Sequence, residues 1–333
     1  MRIGIVGAGM AGLSCADALS RRDHEVILFD KARGPGGRMS TRRLECAAGT
    51  MSFDHGAQYF TVRDREFSRL VADWSRRTVA APWPEAGEDA WVGLPGMNAV
   101  IRDMASQHRV EYDFLVKGLS HEHGAWWISG EQGVRGPFEA VVIATPSEQA
   151  APMLALHDFA LARTALEARS QPCWTAMFAF ARRIPYASNI LKDAGPIAWA
   201  ARNNAKPDRD ATECWVVQAN PSWSREHLEE DPARIETALL LALQNSMGAT
   251  LPETLCSAAH RWRYALSSGS DTRALWNANI RLGVCGDWLI GPRVECAWLS
   301  GKELGEMISD ARPVCDPLDA GILAPSLLFQ RPS

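Results

Sequence analysis

The sequence has no C-x-x-C or C-x₄-C pair: its eight cysteines are scattered at positions 15, 46, 173, 214, 256, 285, 296 and 315. That spacing excludes zinc ribbons and dithiol redox motifs, and the cysteines read as buried thiols of a reducing compartment. Long apolar runs are also missing. The longest, such as Ala238–Leu243, fall far short of the roughly 20 residues needed to cross a bilayer, so no membrane association is expected. Neither sign of charge dominates: 35 Lys and Arg stand against 39 Asp and Glu, a net charge of −4 that offers nothing to nucleic acid or an anionic surface. No basic n-region with an apolar h-region precedes the first strand at Arg2, so a signal peptide is not expected and the cytoplasm is the expected location. Internal repeats and low-complexity segments are absent. Tyrosine is scarce, with 4 residues, while tryptophan, with 13, is abundant.

What remains is an ordinary globular composition, 47% hydrophobic and 22% charged over 333 residues, enough for two domains. The most informative stretch is Arg2 to Asp30, which reads as strand, glycine turn, helix, strand and acid. Gly7, Gly9 and Gly12 supply G-x-G-x-x-G within the turn Gly7-Ala8-Gly9-Met10-Ala11-Gly12. In such a turn the first glycine permits the bend and the second admits a pyrophosphate to the backbone. The third lets helix and strand pack closely, and the diphosphate rests at the positive helix end. Asp30, followed by Lys31, closes the second strand, where a carboxylate accepts hydrogen bonds from ribose hydroxyls.

Next comes Gly34-Pro35-Gly36-Gly37-Arg38-Met39, a loop built for close backbone approach and carrying a cation for a phosphate or a ring carbonyl. Phe53–Thr61 is polar, aromatic and aperiodic, suiting a loop or broken strand at a site wall. Asp64–Arg77 reads as an amphipathic helix, Ala80–Glu88 as irregular, and Trp91–Asn98 as a Gly/Pro loop leading into a helix through Ala105. Arg109–Tyr112, Leu115–Glu122 and Ala125–Ser129 read as short strands. His121 and His123 would share a strand face, but no third ligand accompanies them, so no metal is expected. Phe138–Ala144 reads as a doubly buried parallel strand ending at a ligand-facing turn, Thr145-Pro146. Pro172–Arg182, Cys214–Ala219 and Cys256–Tyr264 are strand candidates, and Pro232–Met247 is a helix stopped by Gly248. Arg281–Cys285 then ends in Gly286-Asp287, and a helix from Val294 to Ile308 follows, a second helix start suited to an anion or carbonyl. The tail from Pro313 reads as irregular.

The glycine fingerprint, GPGGR, FDHGAQYFTVR, WVGLPGMNAV, Gly286-Asp287 and RVECAWLSG occur in the order found in renalase-type flavoproteins, and the chain resembles that bacterial family within the FAD-containing amine-oxidase superfamily from Met1 to about Ile308. Many relatives place Glu where this chain has Asp30. The resemblance implies an α/β fold of p-hydroxybenzoate-hydroxylase-like two-domain topology: a Rossmann-like FAD-binding domain (1–61, 98–155 and 278–325) with an inserted mixed-sheet substrate domain (62–97 and 156–277). It implies non-covalent FAD. The glycine turn would hold the diphosphate, with Gly37, Arg38 and Met39 along it. Gly56, Ala57, Gln58 and Tyr59 would border the isoalloxazine. Val116 would contact adenine through its backbone, and Asp287 the ribityl or diphosphate. Val294, Glu295 and Ala297 would lie at the pyrimidine edge.

The activity implied is oxidation of isomeric dihydro-NAD(P), reduced at the wrong ring position, to NAD(P)+, with O2 reoxidising the flavin to yield hydrogen peroxide. What is missing agrees: there is no second G-x-G-x-x-G and no defensible nucleophile, base and acid set. A dihydropyridine already donates hydride, so positioning suffices. Candidates for the substrate wall, chosen for aromatic or polar character, are Tyr59, Trp199, Trp215, His260, Tyr264 and Trp288, although each tryptophan alone reads as core. The alternatives are an FAD-dependent amine oxidase and a non-catalytic redox sensor. Against the first, Gly291-Pro292-Arg293-Val294 carries neither the cysteine nor the aromatic residue found near the last helix of such enzymes.

Overall fold

The computed structural model describes residues 1–46, 48–270 and 272–311. The tail expected from Pro313, Cys315 and the domain end expected at 325 lie outside the described residues.

The continuous apolar strands Arg2–Val6, Glu25–Phe29 and Ala140–Ile143 form the centre of a six-stranded sheet. The sheet order is Leu275–Asn277, Leu282–Val284, Ala140–Ile143, Arg2–Val6, Glu25–Phe29, Arg109–Glu111. All pairings are parallel except that of the edge strand Leu275–Asn277. Doubly buried parallel strands need cover on both faces. Helix Met10–Ser20 covers one face, and helix Val294–Asp310 packs against it so closely that a Cβ on Gly301 would lie 2.0 Å from the Ala11 carbonyl oxygen. On the other side Phe29, Val141 and Ile143 share a core with Trp126, Ile128 and Phe138. Those three come from an antiparallel sheet of Val116–Glu122, Ala125–Gly130 and Gly133–Phe138. His121, on the first of these strands, stacks on Trp126 at 4.5 Å.

A second, five-stranded sheet is antiparallel throughout, in the order Ile190–Ala194, Ile197–Arg202, Glu213–Ala219, Ser170–Phe180, Thr254–Ser267. Helix Pro232–Met247 buries Ile235, Leu239 and Leu243 against one of its faces, beside Trp174, Phe178 and Trp215. Pro232 opens this helix with Asp231 capping it, and Gly248 at φ +61° ends it, as the sequence leads one to expect. The hairpin of Thr41–Cys46 and Gly49–Asp54 covers the opposite face through Met51 and Phe53.

Several expectations need correction. Ala80–Glu88 is not wholly irregular, because Ala80–Pro82 pairs with Ala90–Gly93, itself a strand where a loop is expected. Phe67, Val71, Trp74 and Val92, expected with the substrate region, share a core with Ile3 and Leu13 under the first sheet. The cysteines are not all thiols: Cys46 and Cys256, brought together by the hairpin and the last long strand, form a disulfide. Cys15, Cys173, Cys214, Cys285 and Cys296 are free and buried. No helix among the described residues is long and apolar enough to cross a membrane.

Candidate functional site

A cleft of about 550 Å³ separates the two large sheets, and the glycine turn closes one end of it. Each glycine there meets a distinct demand. Gly7 sits at φ +104°, where a side chain is strained. A Cβ on Gly12 would lie 2.0 Å from the Gly7 carbonyl oxygen. A Cβ on Gly9 would meet nothing within 4 Å, because Gly9, Met10 and Ala11 face the open cleft. No side chain caps the helix that starts here, so its positive end is left for an anion. Asp30 braces the turn, its two oxygens accepting from the Ala8 and Ala32 N–H groups at 2.8 Å each, with lone pairs to spare for a ribose. Lys31 is exposed. Val116 does not line the cleft; it lies two residues beyond Phe114, whose N–H donates to the Asp30 carbonyl at 2.9 Å.

Midway along, Arg38 and Asp287 face each other across the cleft in a two-pronged ion pair of 2.8 and 2.6 Å, to which Ser267 Oγ adds a donor at 3.0 Å. Gly37 and Met39 complete the turn that presents Arg38. The Ala57 N–H donates to the Arg38 carbonyl at 2.8 Å, and a Cβ on Gly56 would lie 2.1 Å from that oxygen, so the two loops interlock. Thr145 Oγ1 is buried on the cleft without a protein partner, and Pro146 is the N-cap of helix Ser147–Leu154. Gly286, Val294 and Ala297 line the opposite wall, where the helix Val294–Asp310 also starts without a side-chain cap. Glu295 turns away from the cleft; one oxygen accepts from the Arg63 and Asp64 N–H groups at 2.6 Å each.

The far end of the cleft is aromatic. Tyr59 and Trp199 touch, with centroids 5.3 Å apart and planes at 43°, and Trp199 Nε1 has no protein partner. Gln218 and Trp262 join them, anchored through Nε2 to the Gly56 carbonyl at 2.7 Å and through Nε1 to the His55 carbonyl at 2.8 Å. Of the expected substrate wall, Tyr59 and Trp199 line the cleft, while Trp215, His260, Tyr264 and Trp288 do not. Strand alternation explains Trp215: with Val217 it faces helix Pro232–Met247, leaving Gln218 to face the cleft. Trp288 is core, donating through Nε1 to the Thr145 carbonyl at 3.1 Å. His260 sits behind the wall, edge-on to His55 at 4.9 Å and to Trp262 at 4.4 Å. Gln218 and Arg63 escaped sequence reasoning, and Trp262 reads from the sequence only as one of several tryptophans that together suit an aromatic-lined pocket. The strand candidate Cys256–Tyr264 held Trp262, but only a register could show which face it takes.

Behind Gln58 lies a buried charge cluster. Asp54 accepts from Lys206 Nζ at 3.2 Å, Arg209 at 2.8 Å, Thr41 Oγ1 at 2.9 Å and the Met97 N–H at 2.9 Å. Burial alone would raise the Asp54 pKa, but Lys206 and Arg209 outweigh it and hold the carboxyl well below the usual range. Burial, only partly offset by Asp54, draws the Lys206 ammonium down to about 8. Burial, then His260 and Arg42, lower His55 to about 3, leaving it neutral. Among the described residues lining the cleft, Asp287 is the one carboxylate and there is no histidine.

The open flank of Gly9, the two uncapped helix starts, the Arg38 fork and the orphaned Thr145 hydroxyl together fit an extended dinucleotide with its diphosphate at the glycine turn. Comparison with known proteins agrees. Residues 5–74 match the model of an NAD(P)-binding Rossmann-like domain, and residues 83–303 match that of the flavin containing amine oxidoreductases. An L-amino acid oxidase of Cerastes cerastes is 55% identical over 42 residues, covering 13% of this chain and 8% of that protein. A hydroxyneurosporene desaturase of Rubrivivax gelatinosus is 35% identical over 95 residues, covering 28% of this chain and 17% of that protein. These matches span only a small part of either relative's length. Among solved structures, one from Exiguobacterium sp. 255-15, provisionally assigned as a protoporphyrinogen oxidase, superimposes with a TM-score of 0.71 at 12% identity, covering 92% of this chain and 98% of its own. The cyclohexylamine oxidase of Brevibacterium oxydans IH-35A gives 0.67 at 12% identity over the same shares. A fatty acid isomerase from P. acnes gives 0.66 at 10% identity, again covering 92% and 98%. At such identities the likeness is one of fold.

Proposed function

Because the chain belongs to the flavin containing amine oxidoreductase family, whose cofactor is FAD, we propose that it is an FAD-dependent oxidase of dihydro-NAD(P) isomers reduced at the wrong ring position. The products are NAD(P)+ and, from O2 and a proton, hydrogen peroxide. The bound flavin supplies a hydride acceptor at N5 and the route to O2. In this reading Gly9 and the helix start behind it hold the FAD diphosphate, Asp30 the adenosine ribose, and Arg38 with Asp287 the middle of the cofactor. The loop of Gly56, Ala57 and Gln58 borders the ring, and the start of the last helix, at Val294 and Ala297, faces its pyrimidine edge. Val116 lies outside the cleft lining, but its segment runs beside Asp30 through Phe114, and there its backbone would meet the adenine end of the cofactor. Tyr59 and Trp199 present one continuous aromatic wall to the substrate ring and exclude water from it.

The observation that carries the substrate class is the charge of the cleft. Its lining bears three arginines, Arg38, Arg63 and Arg293, and only Asp287 among their carboxylate partners lies on it; Asp89, 3.0 Å from Arg63, and Glu295, 3.4 Å from Arg293, sit behind. The cleft thus presents guanidinium groups rather than free carboxylates, which suits the phosphates of a second dinucleotide better than a cationic amine. Tyr59 and Trp199 are also in direct contact, so they form a wall and leave no gap for an amine between them. In this reading the protein works in the cytoplasm, where nicotinamide dinucleotides turn over.

The test is anaerobic mixing of the purified flavoprotein with borohydride-reduced NAD, which contains several dihydro isomers. The expected result is rapid bleaching by a minor isomer, little by ordinary NADH, and peroxide when air is admitted. Bleaching by amines and by no dihydro isomer would sink the proposal in favour of an amine oxidase. Bleaching by neither would leave a redox sensor.

A further inference from the structure

Lys206 is a fully buried ammonium that none of the roles above employs. It follows strand Ile197–Arg202, which brings Trp199 to the cleft, through the short turn Asn203–Ala205. Its Nζ donates to Asp54 Oδ2 and to Gln58 Oε1, each at 3.2 Å, and lies 5.4 Å from the centre of the Trp83 ring. Gln58 lines the cleft, so only one side chain separates the ammonium from it. An ammonium can only donate, which fixes the Gln58 amide. Its oxygen must turn to Lys206, and its Nε2 then donates to the Asp54 and Gly56 carbonyls.

The cluster is also unbalanced. One carboxylate, Asp54, faces two cations, Lys206 and Arg209, with side-chain exposures of 0%, 0% and 3%. The surplus positive charge lies out of solvent, where salt screens it little. A flavin gains negative charge on two-electron reduction, and a fixed cation behind the ring wall favours that state.

We propose that Lys206 is a positioning residue for the bound flavin: its ammonium, acting through Gln58, raises the tendency of the cofactor to accept electrons. This rests on FAD lying in the cleft and is independent of which substrate delivers the electrons. The groups that face Lys206 are Asp54 from the hairpin, Arg209 from the following loop, and the uncharged Gln58 and Trp83. Asp54 stays ionised across the neutral range and Arg209 stays cationic, so the ammonium is the group that titrates. Burial brings its pKa down to about 8, so the charge is present below that pH and lost above it.

The experiment is a redox titration of the bound flavin against reference dyes, without substrate, from about pH 6.5 to 9.5. At pH 7, Lys206→Met is expected to shift the flavin equilibrium about tenfold toward the oxidised form, which is about 30 mV for a two-electron couple. Lys206→Arg keeps the charge and is expected to stay near wild type. The gap between wild type and Lys206→Met closes as the pH rises past the ammonium's titration. A flavin-loaded Lys206→Met protein with an unchanged potential overturns the proposal. So does a gap of constant size at every pH, which belongs to altered packing and not to the charge. If the methionine variant does not fold, wild type carries the test alone. Its potential must then show, relative to free FAD, an added break near pH 8, and the lack of one overturns the proposal. A wild-type protein that binds no flavin would overturn the cofactor assignment and this inference together, whereas a normal flavoprotein that ignores dihydro isomers leaves this inference standing.

Discussion

At the scale of single residues, Asp54 organises the wall behind the cleft. Asp54→Asn would leave the Lys206 and Arg209 cations buried without their counter-ion. Such a change typically costs about 3–5 kcal/mol. The expected outcome in urea unfolding is a loss of that size, with a lower flavin content in the purified protein. His55 makes an acid-sensitive contribution. Its pKa is 6.5 in the unfolded chain and about 3 in place, so its share of stability is complete above 6.5 and drains away as the pH falls toward 3. The full loss is on the order of 5 kcal/mol. Urea midpoints at pH 7 and pH 4 should therefore diverge in wild type and converge in His55→Phe. The segment Phe53–Thr61 was legible as a site wall, because polar, aromatic and glycine residues without a period do not build a regular strand. The partners of Asp54 were not legible: Lys206 and Arg209 lie 152 and 155 positions away, and no local pattern ties an acid to cations that distant.

At the scale of elements, the three glycines of the first turn separate binding from folding. Gly9 has extended backbone at φ −82° and open space where a Cβ would stand. Gly9→Ala should leave thermal stability of the flavin-free protein unchanged while weakening FAD binding tenfold or more, as read by fluorescence of released flavin. Gly12→Ala forces a Cβ to within 2.0 Å of the Gly7 carbonyl oxygen and should destabilise even the flavin-free protein, by about 1–3 kcal/mol. Equal stability of the two variants would contradict this division of labour. The βαβ unit was readable because strand, turn and helix carry local signals within thirty residues. Helix Pro232–Met247 was readable from its proline start and glycine stop. Gly133–Phe138, with two glycines and a proline, carries no strand signal before Phe138 and becomes a strand only by pairing with Ala125–Gly130. Helices Ser147–Leu154, with an internal proline, and Phe159–Glu167 are likewise short and are held by tertiary packing of Ala150, Leu154, Leu161 and Ala165. Trp215 shows the limit from the other side: aromatic character was visible, but which face of a strand it takes depends on register.

For the whole molecule, the cleft is a junction of two sheets, and its charge is the property to probe. Arg63 and Arg293 are 62% and 38% exposed, so their pull on a phosphate is open to screening. Raising salt from about 20 to 300 mM, a change in Debye length from roughly 20 to 6 Å, should raise KM for the dihydro-dinucleotide several-fold while kcat and flavin content hold. A salt-independent KM would remove the two arginines from substrate capture. The order of motifs along the chain made the return of the nucleotide-binding sheet after an excursion legible, since Phe138–Ala144 and Arg281–Cys285 both read as buried strands. The meeting of Cys46 with Cys256 across 210 residues was not, because it depends on how the hairpin docks on the second sheet.

The glycine-to-backbone seam between helices Met10–Ser20 and Val294–Asp310 also has a consequence for biosynthesis. The Gly301 face that packs on Ala11 is synthesised long after it, from position 11 to position 301 of the chain. At about 5–20 residues per second the first helix waits roughly 15–60 s for its partner. Ala11, Leu13 and Cys15, buried in the fold, lack the cover of that helix through the interval. Ribosome-arrested chains released before Gly301 should therefore emerge without flavin, however intact their fingerprint.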